Sequence, residues 1–248
     1  GKTSLTEAQL ELEWVHGYRG AAGALRPSAL VLPGRPDYMH NCRFLPNGRI
    51  VYPIEAVVIV HHLDNHTQEI FFGHDATVEC LAVHPTRAVV ASGQTAESGA
   101  KEGTVLVWDA DGARPFTPVS TLRHVFTRRV GLLAFSPNGR YLVSVDGGDR
   151  RQLYVHDWKK RELVVQGVGY VDDIYQVSFN PAEPSEILQV GKKHIKFWTF
   201  KDGDLAPRLA SFRQDKLAPG LKQAEPQVVA CCTFTASGDA IVGLDEGH

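Results

Sequence analysis

The chain lacks several features that would place it in a special class. Its 248 residues include only four cysteines and one methionine, and 26 basic residues nearly balance 28 acidic ones, for a net charge of −2 at pH 7. Four cysteines are too few for a disulfide scaffold and indicate a reducing compartment. The near-neutral charge does not fit a protein that coats nucleic acid.

Long hydrophobic runs are also missing. No apolar run approaches the roughly 20 residues that span a bilayer, and the first residues have no signal-peptide core. We therefore expect neither membrane insertion nor secretion, and no membrane partner. Twenty-three glycines and 14 prolines argue against a helical bundle. Only residues 5–12 have a pattern that suits a short helix.

A recurring unit is the main positive feature of the sequence. Each copy has a short apolar strand, a turn with Pro or Gly, and a second strand rich in β-branched residues. The apolar anchors before the turns are Phe44, Val83, Phe135, Phe179 and Phe234, separated by steps of 39, 52, 44 and 55 residues. These steps lie near the roughly 40–45 residues of a four-stranded propeller blade.

Three of the units close on a strand in which apolar and polar residues alternate and which carries an aromatic residue near its end. These strands lie at residues 104–109, 152–158 and 194–198. Alternation with a period of two is typical of a strand with one buried face. The sequence therefore predicts an all-β fold of antiparallel blades.

Gly73-His74, followed by Trp108-Asp109, resembles the signature of the WD repeat. In that family a His, a Ser or Thr, an Asp and the Trp form a buried hydrogen-bonded network. His74, Ser92 and Trp108 match three of these positions, whereas Glu102 stands where the family usually has Asp. The resemblance implies a WD-repeat β-propeller in which these residues have structural roles.

The later blades depart from the WD pattern. His156 stands where Trp is expected, with Trp158 two places on, and Trp198 is followed by Thr199 rather than Asp. The sequence therefore predicts atypical blades, with Trp158 and Trp198 as their structural aromatic residues.

The segment LEWVHGYRG at residues 12–20 resembles the HELP motif that precedes the propellers of echinoderm microtubule-associated protein-like proteins. The later repeats match that family's first propeller in order. Trp14, Tyr18 and Arg19 are expected to pack against the first blades, with a partner-binding surface as the alternative. The resemblance implies an N-terminal segment at 1–39 and propeller blades over 40–248, divided near 40–72, 73–120, 121–165, 166–210 and 211–248. The last of these blades is partial, so we expect an open, incomplete part of a larger, tandem propeller.

Family members bind microtubules or tubulin, so the resemblance implies a non-enzymatic cytoskeletal protein of the cytoplasm. Other cytoskeletal or axonemal proteins are implied as partners, and a cilium or flagellum as one location. The alternative is a generic WD-repeat adaptor for protein complexes that makes no contact with tubulin.

Charge along the chain is uneven. Residues 55–109 have a net charge of −6 and residues 110–165 have a net charge of +5. Because tubulin is acidic, the basic stretch could steer it into contact, although a solvated rim of no special function has the same pattern. The candidate tubulin-facing residues are Arg128, Arg129, Arg150, Arg151, Lys159, Lys160 and Arg161.

Other chemistry finds little support in the sequence. His61, His62 and His66 cluster without a Cys or carboxylate pair at zinc-like spacing, so we expect no metal or other cofactor. No nucleophile elbow or comparable catalytic context occurs, so we expect no enzyme. The aromatic residues lie in blade-closing strands, where packing explains them, so we expect no nucleic-acid partner.

Overall fold

The computed structural model describes residues 41–95, 103–123, 126, 128–149, 151–170, 172–210 and 228–244. Eighteen β-strands occur in these ranges, and none of the described residues is helical. No described segment forms a helix long and apolar enough to cross a membrane. The predicted all-β fold is confirmed.

The strands form five antiparallel sheets, each a simple up-and-down meander in chain order. The first sheet contains β1 (Arg43–Phe44), β2 (Ile50–Ile54), β3 (Val57–His62) and β4 (Thr67–Phe71). The second contains β5 (Val78–Val83), β6 (Val89–Gln94), β7 (Thr104–Asp109) and β8 (Pro118–Arg123). The third contains β9 (Val130–Phe135), β10 (Tyr141–Asp146), β11 (Gln152–Asp157) and β12 (Glu162–Val168). The fourth contains β13 (Ile174–Phe179), β14 (Glu186–Gly191), β15 (His194–Lys201) and β16 (Asp204–Ala210), and the fifth β17 (Val229–Phe234) and β18 (Ala240–Leu244).

The five anchor residues occupy equivalent backbone positions. Each is the last residue of the first strand of its sheet and pairs with the start of the second strand. The side chains of Val83, Phe135 and Phe234 pack against cores that join neighbouring sheets, and Phe179 lies within one of them. Phe44 differs, since it is 69% exposed.

Four buried clusters lie between successive sheets, and we call each a seam. The first seam joins sheets one and two around Phe71 and Trp108, and the second joins sheets two and three around Tyr154 and Trp158. The third seam contains Trp198, and the fourth contains Cys232. Because both faces of an inner sheet are covered, most residues of β6, β10 and β14 are buried. Face-to-face packing of consecutive four-stranded sheets is the architecture of a propeller. The described sheets form part of such a ring and do not close it.

The first strands of successive sheets lie side by side at the centre. Strands β1, β5, β9 and β13 line a cavity of about 420 Å³. The connections then fall on two opposite faces. The linker face carries the links between sheets and the turns between second and third strands, and the turn face carries the other turns, at 45–49, 63–66, 84–88, 110–117, 136–140, 158–161, 180–185, 202–203 and 235–239.

Several predicted features lie outside the described residues. These are the short helix at residues 5–12, the HELP-like segment with Trp14, Tyr18 and Arg19, and the side chains of Glu102 and Arg150.

Candidate structural network and interaction surfaces

A buried hydrogen-bonded network links three of the predicted residues in the second sheet. His74 Nε2 lies 2.6 Å from Ser92 Oγ, and Trp108 Nε1 donates to the same hydroxyl over 3.2 Å. His74 is 7% exposed, and Ser92 and Trp108 are 0% exposed. The hydroxyl therefore accepts from the indole and donates to the imidazole, so that each buried polar group has a partner.

The fourth position of this network is filled by a residue that the sequence analysis missed. Gln94 Oε1 lies 2.8 Å from His74 Nδ1, and Gln94 Nε2 donates to Asp75 Oδ1 over 2.7 Å. Every donor meets an acceptor if the neutral His74 carries its proton on Nδ1. Burial lowers the pKa of His74 below its ordinary value of 6.5, which favours that neutral form. Gln94 stands two residues after Ser92 on one strand, hence on the same face, and this spacing could have identified it.

The two residues that flank the signature have local roles. An added Cβ at Gly73 would overlap the ring of Phe71, and that ring stacks on Trp108 with centroids 4.4 Å apart. Asp109 accepts a hydrogen bond from the backbone N–H of Asp111 over 2.9 Å, which orders the turn after β7. Gly73 therefore allows a close ring contact, and Asp109 stabilises a turn.

The fourth sheet contains an equivalent network built from different residues. Trp198 Nε1 donates to Gln189 Oε1 over 2.9 Å, and Gln189 Nε2 lies 3.0 Å from His194 Nε2. His194 Nδ1 in turn lies 3.1 Å from the carbonyl oxygen of Lys192. Burial lowers the pKa of His194 as well, which favours a neutral imidazole, and the carbonyl oxygen of Lys192 is then the acceptor for a proton on Nδ1. Trp198 is thus anchored without the Gly-His element of the WD pattern.

The third sheet buries its tryptophan at a different position and with a different hydrogen-bond partner. His156 pairs with Leu142 just as Trp108 pairs with Val90, so it occupies the tryptophan position. Trp158, two residues on, is 2% exposed and donates to the carbonyl oxygen of Gly139 over 2.9 Å. Ser144, which corresponds to Ser92, is also fully buried, and its hydroxyl has no hydrogen-bond partner among the described residues.

The candidate tubulin-facing residues are divided between the two faces. Arg128, Arg129 and Arg151 lie on the linker face, where each forms an ion pair with a carboxylate: Arg128 with Asp149 at 3.3 Å, Arg129 with Glu79 at 3.3 Å, and Arg151 with Asp173 at 2.9 Å. The pair of Arg129 joins the third sheet to the second, and the pair of Arg151 joins the third sheet to the first residues before β13. Two of these three arginines therefore hold neighbouring sheets together.

Lys159, Lys160 and Arg161 form the β11–β12 turn on the turn face, and all three are exposed. Arg161 Nη2 donates to the carbonyl oxygen of Val119 in the second sheet over 2.9 Å. The two lysines make no ion pair with any described residue. A strand of six residues at about 3.3 Å per residue spans about 20 Å, and this distance separates the two sets of candidates.

The central cavity and the cysteines offer no clear chemistry. Both Arg129 and Arg151 at the cavity wall are ion-paired, and Arg43 is half-buried there. Burial raises the pKa of Cys232 to about 12, so its thiol packs as an apolar group. In the described part of the chain, no group of three His, Cys, Asp or Glu residues could hold a metal ion.

Comparison with known proteins gives two family matches. Residues 67–248 match the model of the echinoderm microtubule-associated protein first β-propeller, and residues 6–59 match the HELP motif. Both matches agree with the resemblance that the sequence motifs indicated, and confirm it.

Curated relatives of the same kind are similar over the whole chain. Echinoderm microtubule-associated protein-like 2 from Mus musculus is 32% identical over 100% of this chain and 35% of its own length. Echinoderm microtubule-associated protein-like 1 from the same organism is 32% identical, with 28% of its length covered. Echinoderm microtubule-associated protein-like 4 from Xenopus laevis is 33% identical over 99% of this chain and 24% of its own length. The chain spans about a third or less of these relatives.

Proposed function

Because this chain belongs to the echinoderm microtubule-associated protein-like family, we propose that it binds microtubules or tubulin through a non-enzymatic propeller scaffold. The match of residues 67–248 to the family's first propeller carries this proposal. The names of the relatives describe them as microtubule-associated, and we extend that association to this chain.

The described structure supports a scaffold role. Four seams hold neighbouring sheets together, and the hydrogen-bonded networks that start at Trp108 and Trp198, which we call relays, lie within the second and fourth sheets. The loops on both faces are then free to carry recognition residues. On this proposal the protein acts in the cytoskeleton of the cytoplasm. From the family resemblance alone we also propose that the HELP-like segment with Trp14, Tyr18 and Arg19, which lies outside the described residues, braces the propeller.

Axonemal partners and a ciliary or flagellar location follow from the family resemblance alone. They stay predictions, as do the absence of catalysis and of nucleic-acid or membrane partners.

The test is co-sedimentation of the full chain with taxol-stabilised microtubules at increasing salt concentration. We expect pelleting that saturates with tubulin and weakens as salt rises, since an acidic partner is recognised in part by charge. Folded protein that stays in the supernatant at low salt would contradict the proposal and favour a WD-repeat adaptor without tubulin contact.

A further inference from the structure

Five basic side chains lie on the turn face, on turns of the second and third sheets. They come from the turns at 84–88, 136–140 and 158–161, and we call them the turn-face basic patch: Arg87, Arg140, Lys159, Lys160 and Arg161. Three contacts hold these turns together. The indole of Trp158 donates to the carbonyl oxygen of Gly139. The ring of His84 packs so closely on Gly139 that an added Cβ there would overlap it. The same ring lies 5.5 Å from the ring of Phe135, measured between centroids.

Acidic residues near the patch neutralise only part of its charge. Arg140 Nε lies 3.2 Å from Asp157, whose side chain is 8% exposed, and Arg87 lies 4.0 Å from Asp109. Glu162 is the remaining acid of the hairpin. Lys159 and Lys160 stand exposed without an ion pair to any residue in the described ranges. The patch therefore keeps a surplus of positive charge that faces solvent.

The imidazole beneath the patch lies in its positive field. Burial lowers the pKa of His84, and the positive charges of Arg87 and Lys159 lower it further. Two cations from different sheets thus act on the ring of His84.

The arginines at the first seam, on the same turn face, are paired with carboxylates. Arg49 and Arg114 both bind Glu69, and Arg49 also pairs with Asp111. Burial alone would raise the pKa of Glu69, but hydrogen bonds from Arg114 and His62 bring it below its ordinary value. On the linker face the arginines Arg128, Arg129 and Arg151 are paired as well. Lys159 and Lys160 of the turn-face basic patch are therefore the candidate cations that form neither an ion pair nor a side-chain hydrogen bond with a described residue, while Lys159 Nζ lies 5.4 Å from the centroid of the Trp158 ring.

Apolar surface borders the patch. Leu163 is 41% exposed and Val119 is 48% exposed, and Arg161 bridges them because it precedes Leu163 by two residues and donates to the Val119 carbonyl. Trp158, the large ring under the lysines, is 2% exposed and offers no face on which a nucleotide base could stack. Cations beside exposed aliphatic side chains suit a polypeptide better than a nucleic acid.

We propose that the turn-face basic patch binds an extended, glutamate-rich segment of a protein partner. The inference deepens the proposed function and rests on it for the source of that segment, an acidic stretch of tubulin. The patch adds Arg87 and Arg140 to the three turn-face candidates named from the sequence, and it leaves Arg129 and Arg151 to their role between sheets.

The test compares two paired substitutions in the full chain. Lys159→Glu/Lys160→Glu reverses the unpaired charges of the patch. Lys192→Glu/Lys193→Glu is the matched control, because it changes the same charge at two adjacent exposed lysines of a turn on the linker face. Circular dichroism and the thermal midpoint establish that both variants are folded.

Fluorescence anisotropy with a labelled peptide of ten glutamates, at low and moderate salt, measures recognition directly. We expect binding to weaken about tenfold or more in Lys159→Glu/Lys160→Glu and to change little in the control, with a matching loss of microtubule pelleting. Equal weakening in both variants, or no binding to the unaltered chain, overturns the inference. Tighter, lysine-dependent binding of a single-stranded oligonucleotide than of the peptide also overturns it.

Failure of this inference can be separated from failure of the proposed function. If the unaltered chain pellets with microtubules and Lys159→Glu/Lys160→Glu pellets equally well, the function stands and the patch is not its site. If the unaltered chain does not pellet, the proposed function fails, and the peptide measurement alone then decides whether the patch recognises acidic segments.

Discussion

At the scale of single residues, two groups of buried polar side chains, in the second and fourth sheets, are hydrogen-bonded relays that start at a tryptophan. Trp108 donates to Ser92 and Trp198 donates to Gln189, and each acceptor then contacts a neutral histidine. A buried indole N–H without an acceptor would cost free energy of desolvation. The relay therefore permits the largest side chains to lie fully inside the seams.

Ser92 and Ser144 are a natural matched pair for measuring what a relay contributes. We expect Ser92→Ala to lower the free energy of unfolding by about 1–3 kcal/mol, because it leaves Trp108 and His74 without their shared partner. Ser144→Ala removes a fully buried hydroxyl that has no partner in the described structure, and should cost nothing or stabilise slightly. Urea unfolding of both variants gives the comparison. Equal losses would mean that the hydrogen bonds at Ser92 contribute no net stability.

At the scale of elements, the turns that follow the first strand of the first and third sheets share one sequence. In the first and third sheets a Pro-Asn-Gly sequence places the glycine at a positive φ, +84° for Gly48 and +66° for Gly139. Nothing lies within 4 Å of an added Cβ at Gly48, whereas at Gly139 it would overlap the ring of His84. The same turn is thus free in one sheet and packed against the neighbouring sheet in the other.

This difference predicts unequal effects of one substitution. Gly48→Ala should destabilise the chain by about 1–2 kcal/mol, the cost of a left-handed conformation with a Cβ. Gly139→Ala should lose about 1–3 kcal/mol more, because the second seam must open to make room. Thermal or urea unfolding measures both, and a loss at Gly139 no larger than that at Gly48 would show that the His84 ring moves aside freely.

Sequence patterns identified the strands and the repeat correctly, since these follow from alternation and turn residues. The positions of Phe44, Val83, Phe135, Phe179 and Phe234 as equivalent points of five sheets are confirmed. The sequence pattern did not identify Gln189 and His194, because their spacings from Trp198 differ from those of Ser92 and His74 from Trp108. Gln94 was missed although it stands two residues after Ser92 on the same strand face. A count of charges along the chain also could not show that Arg151 and Lys159 lie on opposite faces. They flank the two ends of strand β11, so only the strand assignment places them apart.

At the scale of the whole molecule, each described sheet packs against its neighbours in chain order. Seams of apolar side chains and inter-sheet ion pairs such as Arg129–Glu79 hold the set together. Three buried or half-buried histidines lie at different seams, and burial lowers the pKa of each: His74, His84 and His194. Their protonation therefore affects the stability of the whole arrangement.

We predict that stability falls as the pH drops below about 6.5. A histidine whose pKa is lower in the folded chain takes up a proton first in the unfolded chain, so the stabilisation is complete above pH 6.5 and declines towards the folded pKa. Urea midpoints between pH 8 and pH 5 should decrease steadily over the acidic half of that range. A midpoint that rises on acidification would contradict the neutral state assigned to these imidazoles.

The relay histidine lies on a link between sheets in the second sheet and within a hairpin in the fourth, and this difference determines how an insertion in the preceding link affects each relay. His74 reaches its relay from the link before β5, so an insertion between positions 74 and 78 would pull the imidazole away from Ser92. Gln189 and His194 belong to one hairpin, so a longer link ahead of β13 would keep their hydrogen bond but displace the ring of Tyr170, which stacks on His194 with centroids 4.1 Å apart. An insertion ahead of the second sheet should therefore cost more stability than one ahead of the fourth, because it breaks a buried hydrogen bond rather than a ring contact.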